Sequence, residues 1–579
     1  MPAATAAVNA LWAAANFRAA RLFRRALHSV EELQTRQLMH YLRANRSTEF
    51  GRRHGFDAIR SVTEYQRRVP LATYDDFAVS VAEIAGGRRH VLTAEPVRLL
   101  EPTSGSTSHS RLVPYTATLA AEFRRGLGPW VVDLYRGVPG AFRGPAYWSI
   151  SPVTKAHPDH SAGGIPIGFD ADSAYLGRAS RRLVDAALAV PAAVKRLDDV
   201  DVFRYVTLLH LLRTADLSLV SVWSPTFLTL LLDELPGWWD ALLDDLASGT
   251  ISPPSAPRSA PGKAALEALR AGFRPVTPRR VDRLARLDPT DWAGLWPGLR
   301  LVSCWADAAS APYAMELAAR FPDAHFQPKG LLATEALVSV PLLNAPAPVL
   351  AVTSHFFEFL PLDDSGEPDR DRPRMAHQLR RGGMYAVVVT TGGGFYRYQL
   401  NDAVEVVGHV GQAPCLRFLG RVDNVSDLAG EKLAERFVAD VLDRIFRETG
   451  VSPRFALLAP ETGCVPPRYH LYVEWPRNAD PARDPVHPAA EWVAGPTAES
   501  VAGIAAALER ELSRNFHYAE CRALGQLGEV RVVPVRDGAG TYVEACRARG
   551  QRTGDIKPVV LDRRTDWGER FRAIAGPAR

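Results

Sequence analysis

Seven serine or threonine side chains surround one glycine in EPTSGSTSHSRLVPYT, residues 101–116, and the run closes on Arg111 and Pro114. A glycine frees backbone N–H groups and the hydroxyls beside them add donors, so such a loop can cradle phosphate oxygens. The spacing is not the G-x-x-x-x-G-K-[ST] of the common phosphate loop, and a plain Ser/Thr-rich surface loop would use the same residues. Four further stretches carry reactive groups. In GLLATEALVSVP (330–341), Thr334 and Glu335 adjoin after a strand-like run. A carboxylate beside a hydroxyl suits Mg2+ and a phosphate oxygen, while the same threonine could cap a helix. Glu358 sits between aromatic residues in HFFEFLP (355–361), which offers either a flat face to a purine or a buried strand. TTGGGFYRYQLNDAVEVVG (390–408) sets three glycines and a Tyr-Arg-Tyr ahead of Asn401 and Asp402. That turn could aim an acid at both hydroxyls of a ribose, or be a bare hairpin turn. Last, RARGQRTGDIKPVV (547–560) carries Lys557 in a glycine-containing loop, where a lone lysine is ordinarily solvated surface.

Such residues need a framework. At 579 residues, 47% hydrophobic and 23% charged, the chain is long enough for more than one domain and a sizeable core, and it reads as soluble and globular. The net charge of +5 is the small difference of 69 basic and 64 acidic side chains spread along the chain. That argues against a nucleic-acid partner and is compatible with a polyanionic small molecule. Five cysteines without a C-x-x-C pair suit a reducing cytoplasm. No apolar run reaches membrane-spanning length, and LWAAANFRAARLFRRALHSV (11–30) is interrupted by Arg18, Arg21, Arg24 and Arg25. It is expected to be a basic amphipathic helix packed on its own domain, and the chain a monomer.

Short β-type runs, LRLVSCW (299–305), APVLAVTS (347–354) and MYAVVVTT (384–391), lie among helical stretches in an α/β pattern. SPPSAPRSAPGK (252–263), LDDSGEPDRDRPR (362–374) and NADPARDPVHP (478–488) read as exposed loops. After FLGRVDN (418–424) the texture becomes α+β, with helices expected in GEKLAERFVADVLDRIFRETG and AESVAGIAAALERELSRNF and strands in RFALLAP, RYHLYVEW and EVRVVPV. The expected division is a large domain over 1–424 and a small α+β domain over 425–579.

The order of hydroxyl-rich loop, Thr-Glu pair, Tyr-Arg-x-x-x-x-Asp, GRVDN and late lysine resembles the adenylate-forming superfamily. Within it the chain is most similar to the acyl acid amido synthetases, the auxin-responsive promoter (GH-three) family, as a bacterial-type member. NRSTEFGRRHGFDAIRSVTEYQRRVPLATYDDF (45–77), FFEFLP, YRYQLND and GRVDNVSDLAGEKLAE look like that family's signatures, so the resemblance covers nearly the whole chain. It implies a large α/β adenylate-forming domain, with β-sheets, packed helices and a partly barrel-like form, plus a small C-terminal domain that rotates. The implied reaction consumes ATP with Mg2+, joins a small carboxylic acid to an amino acid or related amine, and passes through an acyl-adenylate. An acyl-CoA ligase and a non-catalytic nucleotide-binding homologue are the rival readings.

By that resemblance Ser104, Gly105, Ser106 and Thr107 would bind the triphosphate, and Thr334 and Glu335 the α-phosphate and the metal. Asp402 and Arg421 would meet the ribose, Phe357 the adenine, and Asp423 would mark the hinge. Lys557 would reach the α-phosphate during adenylation, and GFDADSAY (168–175) would lie near the acceptor amine. The chain departs from the family pattern at His109, Ser110, Arg111 and Asn401. Arg111 replaces a point ammonium with a planar fork, and Asn401, where glycine is usual, tolerates positive φ better than other side chains. The acid pocket is expected within 120–240 and 305–335, with VSVWSPTFLTLLLDEL (220–235) more core than wall.

Overall fold

A computed structural model describes residues 2–103, 111–148, 160–168, 187–363, 366–422, 424–475, 498–551, 554 and 556–575. The chain divides into two compact units, the larger of 1–307, 314–418 and 550–555, the smaller of 308–313, 419–549 and 556–579.

In the larger unit β1 (Leu99–Pro102) and β2 (Leu112–Tyr115) pair antiparallel across the hydroxyl-rich loop. Four parallel strands follow in spatial and sequence order: β3 (Ala146–Trp148), β4 (Leu219–Ser221), β5 (Leu301–Cys304) and β6 (His325–Pro328). Parallel strands need crossovers, and the intervening helices bury Val202, Leu208, Leu209, Leu212, Leu235 and Leu246 against them. The apolar run 220–235 gives this core Val220, Val222, Phe227, Leu228, Leu231, Leu232 and Leu235, while Trp223 stays partly accessible.

The third sheet has seven strands: β7 (Ser339–Val340), β8 (Val349–Leu350), β9 (Phe356–Pro361), β10 (Arg374–Met375), β11 (Met384–Thr390), β12 (Tyr398–Val410) and β13 (Ala413–Arg421). Their spatial order is β10-β9-β11-β12-β13-β8-β7. HFFEFLP is thus a buried strand, and MYAVVVTT and LRLVSCW are strands as expected. The N-terminal helix Pro2–Ala26 packs on its own unit: Asn9 donates to the Phe142 carbonyl at 2.9 Å, and the Trp12 ring meets those of Phe142 and Trp148. Among the described residues no helix is long and apolar enough to cross a membrane. One loop expectation is corrected. The end of SPPSAPRSAPGK starts the helix Ala260–Gly272, because Ser259 caps it by accepting from Gly262 N–H and Pro261 suits a first turn.

The smaller unit joins the short strands β14 (Val425–Ser426) and β15 (Leu433–Ala434) to a sheet of β16 (Phe455–Glu461), β17 (Arg468–Glu474) and β18 (Arg531–Pro534). Helices Glu435–Thr449 and Ala498–Leu512 cover it, burying Val438, Leu442, Ile445, Leu508 and Leu512. The first of these begins five residues later than its sequence pattern suggests, because Gly430–Ala434 are taken by a turn and β15.

One ion pair clamps the larger unit. Arg397 Nε donates to both oxygens of Glu358 at 3.2 and 3.1 Å, and both side chains are buried. Its Nη1 also donates to the carbonyls of Gln66 and Val69 at 2.9 Å each, while Gln66 Nε2 donates to Glu358 at 2.9 Å. The arginine of the Tyr-Arg-Tyr motif therefore ties the helix Val62–Arg68 to β9 and β12. Arg397→Met, which strands a buried carboxylate, is expected to cost about 3–5 kcal/mol in urea unfolding, with part recovered by adding Glu358→Met. A loss below about 1 kcal/mol in the single variant would show the pair to be dispensable.

Candidate active site

Strands β1 and β2 close the base of the hydroxyl-rich loop, where Thr103 N–H donates to the Arg111 carbonyl at 2.8 Å. Ser104, Gly105, Ser106, Thr107, His109 and Ser110 lie outside the described residues, as do Asp423 and all of GFDADSAY beyond Gly168.

The Thr-Glu pair is not a helix start. Leu332 and Leu337 bridge antiparallel and Ala333 N–H donates to the Ala336 carbonyl at 2.9 Å, which puts Thr334 and Glu335 at the tip of a tight turn. Two tyrosines hold that tip. Tyr115, the last residue of β2, donates its hydroxyl to the Thr334 carbonyl at 2.6 Å. Tyr398, the first residue of β12, donates to Glu335 Oε1 at 3.1 Å. The Arg111 guanidinium lies 5.3 Å from the centre of the Tyr74 ring. Tyr74 in turn accepts from Leu112 N–H at 2.8 Å and donates to the Leu112 carbonyl at 3.2 Å. Burial raises the Tyr74 phenol above its usual range; Leu112 and Arg111 oppose the shift and Glu335 reinforces it. Arg111 and Glu335 thus bear on the same ring from opposite charge.

Asp402 is buried and sits in a bulge inside β12, not in a hairpin turn. Val388 pairs with Gln399 and Ala386 with Ala403, so a single β11 residue faces Leu400, Asn401 and Asp402. Asn401 takes φ +60°, the left-handed conformation that lets a bulge re-aim its neighbour. Gly394 ends the glycine run at φ +98°, where a Cβ would fall 2.7 Å from Leu92 and Thr93 side-chain atoms.

Phe357 is fully buried, its ring edge-on to His355 and tilted against Phe359, so it presents no open face to a nucleotide. Arg421 ends β13, exposed, in the smaller unit, where it counters the burial that raises the Glu435 carboxyl. Lys557 is also exposed in the smaller unit, its carbonyl accepting from Tyr542 Oη at 2.9 Å.

Sequence reading passed over a buried network behind the turn. Glu122 accepts from Tyr41 Oη at 2.7 Å and from Gly392 N–H at 3.0 Å. Leu337 N–H donates to His355 Nε2 at 3.1 Å, which leaves the ring proton on Nδ1 to be donated to Glu122 at 2.9 Å. The signal was available: Glu122 falls three residues after Leu119 on the apolar stripe of the helix Ala117–Gly137, where a charge needs a reason.

No group of three or more His, Cys, Asp or Glu able to hold a metal occurs among the described residues. The donors at the turn, one partly exposed carboxylate and one hydroxyl, are hard oxygens too few to hold a metal alone. They fit Mg2+ brought by a phosphate ligand that supplies the remaining oxygens.

Three family models match the chain in order: GH3 family N-terminal domain over residues 19–326, central domain over 348–421 and C-terminal domain over 438–565. The indole-3-acetic acid-amido synthetase GH3.8 of Oryza sativa subsp. indica is 25% identical over 544 residues, covering 88% of this chain and 84% of that one. The indole-3-acetic acid-amido synthetase GH3.4 of Arabidopsis thaliana is 22% identical over 476 residues, covering 77% and 76%. Among solved structures, the AtGH3.15 acyl acid amido synthetase in complex with 2,4-DB superposes with a TM-score of 0.80 at 18% identity, covering 96% of each chain. That likeness establishes the fold.

The bulge yields a test of its own. Alanine and glycine both remove the Asn401 side chain, but only glycine takes positive φ without strain. Asn401→Ala is expected to be about 1 kcal/mol less stable than Asn401→Gly in urea unfolding. Equal stabilities would mean that this residue does not hold the left-handed conformation in solution.

Proposed function

The chain belongs to the GH3 family, and from that premise and the geometry of its larger unit we infer that it is an ATP-dependent acyl acid amido synthetase. Its substrates are a small carboxylic acid, ATP and an amino acid or related amine. The observation that carries the reading is the pair of bonds from Tyr115 to Thr334 and from Tyr398 to Glu335. They draw the end of the hydroxyl-rich loop's second strand, the Thr-Glu turn and the strand bearing Asp402 to one place. The relatives named indole-3-acetic acid-amido synthetases support amide formation as the outcome.

In this proposal the loop 104–107 holds the triphosphate, with Arg111 adding a guanidinium at its base. Asp402 holds the ribose, assisted by Arg421. The acid's carboxylate oxygen attacks the α-phosphorus in line, the bond from that phosphorus to the α,β-bridging oxygen breaks, and pyrophosphate leaves. An amine then attacks the carbonyl carbon of the acyl-adenylate, AMP departs, and the amine proton is lost to give the amide. Glu335 and the Thr334 hydroxyl would hold Mg2+, which when bound neutralises charge on the phosphate oxygens. Lys557 serves the first step, where charge builds on the α-phosphoryl oxygens. Residues 425–579 act as the small domain, reorienting about Asp423 between the half-reactions. The chain works as a cytoplasmic monomer; the cytoplasmic part of this reading is supported by five cysteines that are all free thiols.

The reading is tested by pyrophosphate release across a panel of carboxylic acids, followed by addition of amino acids or of coenzyme A. Acid-dependent release with amide formed from an amino acid is the expected result; thioester in place of amide, or no release with any acid, would defeat it. Glu335→Ala is expected to nearly abolish pyrophosphate release and to weaken its Mg2+ dependence, whereas near-normal turnover with an unchanged requirement would remove Glu335 from the metal site. Lys557→Ala should slow pyrophosphate release on the order of 10²- to 10³-fold, as lost oxyanion donors do. A supplied acyl-adenylate should still go to amide at close to the wild-type rate. Equal losses in both steps would assign Lys557 a structural role.

A further inference from the structure

The parallel sheet ends in an arrangement that the reaction above does not use. Its ladder runs past the carboxyl ends of the strands: Val222 N–H donates to the Ser303 carbonyl at 2.9 Å, Trp305 N–H to Trp223 at 2.8 Å and Lys329 N–H to Cys304 at 2.9 Å. Adjacent strands thereby set Trp223, Trp305 and Lys329 side by side, where open α/β sheets bind ligands. Trp130, on the helix Ala117–Gly137, is fixed by donating its indole N–H to Gln327 at 2.7 Å. The Lys329 ammonium donates to Ser221 Oγ at 2.7 Å and lies 4.9 Å from the Trp223 ring centre and 6.0 Å from that of Trp130. The Trp223 and Trp305 rings lie 5.8 Å apart.

Among the described residues no carboxylate pairs with Lys329, and the titratable group that bears on it is the Cys304 thiol, which burial pushes up to about 12 and keeps neutral. Burial lowers the Lys329 ammonium to about 8, as expected for a cation held by rings and one hydroxyl. Yet the place is not sealed. Lys329, Trp130, Trp223, Trp305 and every residue from Gly330 to Glu335 keep part of their surface accessible, so the cage is continuous along the chain with the Thr334–Glu335 turn. An unpaired cation in an accessible aromatic cage is costly unless a ligand completes it.

We propose that Lys329 and Ser221, walled by Trp130, Trp223 and Trp305, form a subsite for a substrate carboxylate that is not the one activated. The proposal rests on the synthetase reading for the identity of the substrates. That carboxylate has two sources: a second acid group on the acyl substrate, or the α-carboxylate of the amino acid acceptor. Lys329 and Ser221 touch substrate and select it; neither takes part in bond making.

The test compares the wild type with Lys329→Met and Lys329→Arg. Phenylacetate, 4-carboxyphenylacetate and 4-carbamoylphenylacetate are the acid probes, and glycine and glycinamide the acceptors. Binding of each probe is read by quenching of tryptophan fluorescence, and turnover by pyrophosphate release and amide formation. In the wild type a carboxylate is expected to be preferred over its amide by about 10- to 100-fold in Kd or kcat/KM, the range of a charge-assisted hydrogen bond. The ratio should fall towards one in Lys329→Met and survive in Lys329→Arg, whose retained charge controls for folding. Loss of the ratio among the acids assigns the subsite to the acyl substrate; loss of it among the acceptors assigns it to the amino acid. If neither ratio depends on Lys329 in binding or in turnover, the proposal is overturned. Lys329-dependent binding without pyrophosphate release from any acid would keep the subsite and refute the synthetase reading; release without Lys329 dependence would do the reverse.

Discussion

A single buried carboxylate organises the larger unit. Glu122 has no exposed surface, and its two oxygens are shared among the Tyr41 hydroxyl, the His355 ring N–H and the Gly392 backbone N–H. A charge out of water is tolerable when every lone pair it presents is engaged, and then removal of any partner is expensive. Each donor comes from a different segment: the helix Val30–Asn45, the entry to β9, and the glycine run before β12. His355 passes the constraint on through its other nitrogen to Leu337, two residues past Glu335. The turn that carries the candidate metal ligand is therefore fixed from behind by Glu122 and from the front by Tyr115 and Tyr398.

The same economy runs through the neighbouring contacts. Gln34 donates to the carbonyls of Val352 and His355 and accepts from Phe357 N–H, which fastens the second helix to the strand entry where the network begins. Arg397 and Glu358 do the equivalent work one turn of chain further on. With so many buried polar groups mutually satisfied, the backbone around residues 334 and 402 has little freedom. A nucleotide site needs that preorganisation, since donors already aimed at developing charge cost nothing to reorient during reaction. The parallel sheet supplies the complementary part, an accessible edge of aromatic and basic side chains next to the rigid turn.

How far the sequence goes depends on whether a feature is local. The strands at 301–304, 356–361 and 384–390 are legible because apolar β-type runs of four to seven residues are their own signal. Thr334 and Glu335 are legible as a pair because they adjoin, but the tyrosines that hold them lie 219 and 63 residues away, and nothing local announces such partners. Asp402 stands out through its motif, yet the bulge that presents it depends on pairing with β11 and could not be told from a hairpin turn. Phe357 shows the opposite failure: an aromatic beside a motif suggests a ligand wall, and tertiary packing buries it completely. Lys329 went unnoticed because a lysine ahead of a glycine looks like surface until the sheet brings Trp223, backed by Trp305, and a helix brings Trp130 to it.

The account stands or falls on whether a carboxylate oxygen becomes bonded to the α-phosphorus. An acid that supports pyrophosphate release, labelled with 18O in both carboxylate oxygens, can be converted to its amide and the products weighed by mass spectrometry. Attack on the α-phosphorus followed by amine attack on the carbonyl carbon predicts one 18O in AMP and the other in the amide. Label appearing in inorganic phosphate, or AMP formed without label, would contradict an acyl-adenylate.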